Sequence, residues 1–279
     1  MEPQLVKILD TTLRDGLRKS GVTMRLAEKI LFARQLERLN VDVIEIGYGG
    51  PKEVEPMREL ASAVTRPVVL GLSRVNLKDV KRVLRGVEPA KRPGINIFAP
   101  TSDAFLNVSG TTRREALEAS LTAVAYAKQH LDHVQFSAQD ASRSEPDYLV
   151  EVLGGAVSAG ATVLSITDTL SHALPSEFGE LCDRLRARVP GGDAVTWSVH
   201  CHNDLGLGVA NCLAAIEHGA RQVECTVNGV GERSGNTPLG QVVNALRVRG
   251  DAFGLLRTNI SFAELAPTAA LLSAASQAS

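Results

Sequence analysis

The chain has little cysteine, little aromatic content, no excess of charge of one sign and no long hydrophobic run. Four cysteines stand at positions 182, 201, 212 and 225, with no C-x-x-C pair among them. Four are too few for a disulfide framework in a chain of 279 residues, so small buried apolar side chains are the expectation. Thirty basic residues against 31 acidic ones leave a net charge of -1. No wide electropositive field is available to gather nucleic-acid phosphates or an anionic membrane, which favours a small-molecule partner. No apolar stretch reaches the roughly 18 residues that suggest a membrane span. Met1–Asp10 lacks a basic segment followed by an apolar one, so a cytoplasmic location is expected.

At 44% apolar and 22% charged residues, the composition excludes disorder and fibre. Short β-branched runs recur along the chain, each followed by a longer stretch with apolar residues at helical spacing. That alternation marks strand–helix units around a parallel sheet. Eight candidate strands are read: Leu5–Asp10, Val43–Gly47, Val68–Leu72, Ile95–Ala99, Val134–Ser137, Val163–Thr167, Val195–His200 and Gln222–Thr226. Amphipathic stripes occupy Arg25–Leu39, Thr112–His130, Asp147–Ser158, Ser176–Arg188 and Leu207–His218. Gly160 and Gly219, each followed by Ala and a new strand, read as helix-ending residues in a left-handed conformation. Eight such units close a (β/α)8 TIM barrel, an α/β fold, over residues 1–250. Residues 251–279, with Leu255, Leu256, Phe262, Leu265, Leu271 and Leu272, read as a short C-terminal helical extension with no regulatory domain.

Barrels of this kind place chemistry at the C-terminal ends of their strands, and several candidate strands end in polar sequence. The first runs into Thr11-Thr12-Leu13-Arg14-Asp15-Gly16, the fifth into Ser137-Ala138-Gln139-Asp140, the sixth into Thr167-Asp168-Thr169 and the seventh into His200-Cys201-His202. His200 and His202, two apart on an extended segment, project to one side, with Cys201 facing away. Two imidazoles so placed can meet one divalent ion. Asp15 would complete a set of two histidines and a carboxylate, since the first and seventh strands lie two steps apart around a closed ring. Arg14 suits a carboxylate or a developing oxyanion, or equally a salt bridge at the barrel rim. The glycines of Asn228-Gly229-Val230-Gly231-Glu232-Arg233-Ser234-Gly235-Asn236 would let backbone approach a ligand.

Taken together, Asp10–Gly16, Ser198–Asn211 and Gly229–Asn236 resemble the metal-dependent lyase and synthase barrel superfamily, the HMG-CoA lyase-like group. Its 2-isopropylmalate and homocitrate synthases are the most similar members. The resemblance implies a divalent ion, magnesium, manganese, iron or zinc, held by Asp15, His200, His202 and Asn236. It implies an acyltransferase that condenses an acyl-CoA, acetyl-CoA above all, with a 2-oxo acid to give a 2-alkylmalate-type product. Arg14 then matches an oxyanion-stabilising arginine, Glu232 a residue of acid–base work, and Thr169 a contact to the 2-oxo acid. A homodimer is expected on the same ground. Trp197 and three tyrosines offer no clue to an adenine pocket.

Departures from the synthase pattern bear on substrate. Leu17-Arg18 replaces Glu-Gln, so Arg18 is expected to bind an additional acidic group. Gln139 stands where a glutamate is usual and cannot take up a proton near neutral pH, which leaves it a substrate contact only. Phe105 and Ser109 replace a histidine and a lysine. The tail lacks His and Tyr, the pair that a synthase lid contributes, so protonation and thioester hydrolysis are expected to rely on other groups or on a separate chain. Two other readings stay open: a metal-dependent lyase or aldolase, and a non-catalytic binding paralogue.

Overall fold

β-Branched and apolar runs bounded by turns form the strands of a single closed sheet in the computed structural model, which describes residues 5–254 and 256–277. The strands are β1 (Lys7–Asp10), β2 (Val43–Tyr48), β3 (Val68–Arg74), β4 (Pro93–Pro100), β5 (His133–Gln139), β6 (Val163–Asp168), β7 (Thr196–Cys201) and β8 (Gln222–Cys225). Each runs parallel to its neighbour, and β8 returns to β1 with Asp10 opposite Cys225. The fold is therefore the (β/α)8 barrel that the alternating pattern predicts.

The helices are α1 (Leu26–Leu39), α2 (Val54–Ser62), α3 (Leu77–Val87), α4 (Asp103–Ser109), α5 (Arg113–Lys128), α6 (Pro146–Ser158), α7 (Pro175–Arg188), α8 (Gly208–Glu217), α9 (Leu239–Val248) and α10 (Leu265–Gln277). Five of them carry the stripes read from sequence. α2, α3, α4 and α9 lie outside those stripes, although Val80, Val83 and Val87 bury one face of α3. Start signals are local: Thr112 and Glu115 form a capping box on α5, and Asn76 and Ser102 cap α3 and α4. Gly160 and Gly219 have φ of 109° and 95°, the left-handed stop expected of them. Met57 on α2 fills a notch left by Gly47 and Gly86, where any Cβ would press on its side chain. The tail forms one helix, α10, tied to α1 by Gln35, which donates to Glu264 Oε2 at 2.8 Å and Thr268 Oγ1 at 3.0 Å. Leu255 lies outside the described residues. No helix among them is long and apolar enough to cross a membrane.

Most of the core lies between sheet and helices, with Phe32, Phe136, Phe178 and Leu36 fully buried. The barrel interior is two-sided. Leu9, Val43, Val68 and Leu70 on β1–β3 make an apolar cluster. Across from it, Asn96, Gln135, Ser137, Ser165, Ser198, Gln222 and Glu224 on β4–β8 are buried and polar.

His133 opens β5 at the N-terminal end of the barrel, with its buried Nε2 unpartnered. Burial, then the charges of Lys7, Arg92 and Lys128, push its imidazole from 6.5 down to about 4. Between those values the unfolded chain binds more protons, so this residue's contribution to stability is lost as pH falls from 6.5 towards 4. Urea unfolding of His133→Gln at pH 4 and pH 8 checks this. The stability gap between the two should narrow by up to about 3 kcal/mol, and an unchanged gap would exclude His133 as a cause of acid sensitivity.

Candidate active site

Directly after β1 the chain makes one wide turn, Thr12–Gly16, whose first carbonyl, that of Thr11, accepts from the N–H groups of Arg14, Asp15 and Gly16 at 3.1, 2.8 and 3.1 Å. A π-type turn of this sort is rare and tends to mark functional positions. It is braced by Asp10, which accepts from Thr12 N and Thr12 Oγ1 at 2.9 Å each. Val227 N donates to Thr12 Oγ1 at 2.9 Å, fastening the turn to the loop after β8. Asp15 thus stands on the turn beyond β1 rather than at the strand end.

Arg14 lies between two carboxylates. Nη1 donates to Asp15 Oδ1 at 2.6 Å, and Nε and Nη2 both reach Glu45 Oε2 at 2.5 Å. Glu45, on β2, is fully buried and also accepts from Thr11 Oγ1 at 2.7 Å and Asn96 Nδ2 at 2.9 Å. Burial would raise the Asp15 carboxyl, but the Arg14 guanidinium and the His200 imidazole outweigh it and hold Asp15 well below the usual carboxylate range.

His200 lies near the end of β7, and His202 is one residue past it, opposite Asn236 in an isolated antiparallel bridge. The two ring centroids are 5.2 Å apart, with the planes inclined at 63°. His200 Nε2 is 3.5 Å and His202 Nε2 3.8 Å from Asp15 Oδ2, too long for good hydrogen bonds. One ligand atom from each of the three residues lies within 4.8 Å of the others. Burial disfavours a charged His200, but its contacts with the carboxylates of Asp15 and Glu224 prevail and raise it to about 10. Burial and then His200 push His202 down to about 4, leaving it neutral.

The donor set fits a divalent cation. Asp15 Oδ2 and Asn236 Oδ1 are both buried without a hydrogen-bond partner, and the Nε2 atoms of His200 and His202 are turned towards that same Asp15 oxygen. Each unpartnered atom costs roughly 1–3 kcal/mol, and carboxylate, imidazole and amide oxygen are ligands that zinc, manganese or iron accept. The glycine loop serves this placement. A Cβ at Gly235, where φ is 90°, would collide with the Gly229 carbonyl. Asn236 N donates to that same carbonyl at 3.0 Å, setting the asparagine opposite His202.

A cavity of ≈ 270 Å³ opens above the cluster. Arg14, Asp15, His200 and His202 line it, together with Arg18, Gln139, Thr169 and Glu232; Asn236 stands beside it rather than in its wall. Leu72, Phe98, Phe105 and Leu170 give it an apolar side, while Ser109, at the exposed end of α4, takes no part. Glu232 carries an ion pair with Lys19 Nζ at 3.1 Å and lies 3.6 Å from Arg18 Nε, whose side chain is 59% exposed. Burial would raise Glu232, but Lys19 and Arg18 outweigh it and keep the carboxylate ionised. Thr169 Oγ1 accepts from Asp140 N at 2.9 Å. Sequence reasoning missed Glu45, Glu224 and Asn96. The signal was a carboxylate or amide set inside an otherwise apolar strand, as in Val43-Ile44-Glu45-Ile46 and Gln222-Val223-Glu224-Cys225.

The profile of the HMGL-like family matches residues 5–272. The chain belongs to the HMGL-like family. Among members of known name it is 44% identical over 271 residues to the 2-isopropylmalate synthase of Neisseria meningitidis serogroup B, covering 96% of this chain and 52% of that one. Identity to the 2-isopropylmalate synthase of Aquifex aeolicus is 44% over 270 residues, with 96% and 52% covered. This HMGL-like chain spans about half the length of the curated relatives it matches. Among solved structures, the HMG-CoA lyase of Bacillus subtilis superposes with a TM-score of 0.83 at 20% identity, covering 99% of this chain and 95% of that one. That likeness shows the shared barrel.

Proposed function

We propose that this barrel catalyses a divalent-metal-dependent Claisen condensation of acetyl-CoA with a 2-oxo acid, as a 2-isopropylmalate synthase-like acyltransferase. The observation that carries the reading is the cluster of Asp15, His200 and His202, with their ligand atoms within 4.8 Å of one another in the floor of a cavity. The kinship with 2-isopropylmalate synthases over nearly the whole chain supports the choice of reaction. Asp15, His200, His202 and Asn236 would hold the cation, which supplies Lewis-acid polarisation of a keto group and charge stabilisation.

The chain's own groups account for the rest of the chemistry. Arg14 presents a fixed guanidinium to the cavity and stabilises negative charge developing on a reacting oxygen. Its two carboxylate partners lock the side chain, so little ordering is needed when charge appears. Glu232, ionised at rest, is an acceptor for the proton that the acetyl methyl group loses. The carbanion formed there attacks the keto carbon, the new alkoxide takes up a proton, and water cleaves the thioester to a carboxylate and free CoA thiol. Thr169 and Gln139 offer a hydroxyl and an amide to the carboxylate end of the 2-oxo acid. Arg18, on the rim, selects for a further acidic group on that substrate.

Incubating the metal-loaded protein with acetyl-CoA and a panel of 2-oxo acids, some with apolar and some with acidic side chains, tests both points. Free thiol should appear only when both substrates are present, with a new 2-alkylmalate-type product by mass spectrometry. Arg18→Gln should lose turnover of acidic 2-oxo acids and keep that of apolar ones. No thiol release with any pair would overturn the reaction, and an unaltered substrate range in Arg18→Gln would overturn the selective role of that arginine.

A further inference from the structure

Glu224 lies on β8, 2% exposed, in the polar half of the barrel interior. Its Oε1 accepts from Ser165 Oγ at 2.5 Å, Ser198 Oγ at 2.9 Å and Gln135 Nε2 at 2.9 Å. Those donors come from β6, β7 and β5, so three strands fix one carboxylate oxygen. Gln135 is itself held through its Oε1 by Gln222 Nε2 at 2.9 Å, and Gln222 Nε2 also reaches Ser198 Oγ at 3.1 Å. The second oxygen, Oε2, faces His200 Nδ1 at 3.3 Å, while His200 Nε2 points to Asp15 on the other side. His202 has no comparable support, for its buried Nδ1 is unpartnered.

We propose that Glu224 is a positioning residue that fixes the ring of His200 and keeps a hydrogen on Nδ1, so that Nε2 is the nitrogen offered to a divalent cation. The inference rests on the metal-dependent reading above. Its physical basis is that an ionised carboxylate can only accept, so an imidazole bonded to it through Nδ1 must carry its hydrogen there. Such a contact also strengthens the opposite nitrogen as a ligand and holds its lone pair in direction. The network behind Oε1 prevents the carboxylate from turning away. The two histidines therefore differ in role: His200 is the anchored ligand, and His202 is the one whose ring adjusts to the ion.

The test is calorimetric titration of the full chain with Mn²⁺ and Zn²⁺, for the wild type, Glu224→Gln and Glu224→Ala. Both substitutions should weaken binding about 10–100-fold. In the Zn²⁺-loaded wild type, ¹⁵N spectra of the histidines should show His200 protonated at Nδ1 and metallated at Nε2. A purely structural role would lower the thermal midpoint without moving either readout. Affinities of both variants within twofold of wild type, or His200 metallated at Nδ1, would overturn the proposal. Should Glu224→Ala fail to fold, the isosteric Glu224→Gln decides by itself. A wild-type chain that binds neither ion would sink the metal-dependent reading along with this one, whereas wild-type binding with unimpaired variants sinks only the role of Glu224.

Discussion

Exchange of Asp15 for alanine is expected to bring divalent-ion binding below calorimetric detection and to cut turnover by at least ~10³-fold. The reason is geometric. Asp15 Oδ2 is the atom that both His200 Nε2 and His202 Nε2 approach, at 3.5 and 3.8 Å. Without it the two imidazoles have no anion between them, and the positive field of Arg14 faces the site unopposed on that side. Stability should suffer much less than activity, because Glu45 still accepts from Arg14 at 2.5 Å. Calorimetry and thiol-release assays on Asp15→Ala check the first part, and its thermal midpoint the second. Wild-type affinity in this variant would remove the cluster as the reaction centre.

Arg14→Gln should be hit twice. Loss of the guanidinium removes oxyanion stabilisation, an effect of about 10²–10³-fold on kcat. It also strips Glu45 of its only cationic partner among the described residues while that carboxylate stays fully buried. Leaving one member of a buried pair uncompensated costs about 3–5 kcal/mol, so a large fall in Tm is expected. The double variant Arg14→Gln with Glu45→Gln should recover most of the Tm and none of the rate. If the single variant melts with the wild type, the pairing has no structural weight. If the double variant regains activity, Arg14 has no part in the chemistry.

The sequence carried the architecture well because a closed parallel sheet buries both faces of each strand, and such strands read as apolar runs bounded by polar turns. All eight strands lie within a few residues of the runs that mark them, and the loops that gather Arg14, Asp15, His200, His202 and Asn236 carry motifs visible in the sequence. Two things escaped. Nothing in Thr12-Leu13-Arg14-Asp15-Gly16 announces a turn of five residues, a conformation set by the tie of Thr12 to Asp10 and Val227. Glu45 and Glu224 escape strand periodicity, which treats each run as uniformly apolar, whereas a barrel interior can house a carboxylate once partners on other strands satisfy it. Those partners, Asn96 and Thr11 for one and Ser165, Ser198 and Gln135 for the other, are far away in the chain. Arg18 lines the cavity, but its exposure and its contact with Glu232 are properties of folded loops that no local pattern reveals.

The uneven filling of the barrel also governs how the protein can be altered. On the side of Leu9, Val43, Val68 and Leu70, exchanges among aliphatic residues of similar bulk should act independently and cheaply, as hydrophobic repacking generally does. On the opposite side a change at Ser165, Ser198, Gln135 or Gln222 is felt by the same carboxylate. Substitutions there will show strong epistasis, with each tolerated sequence depending on its companions. Directed evolution of this scaffold would therefore advance by single steps at Leu9, Val43, Val68 and Leu70 and only by compensated combinations across β5–β8.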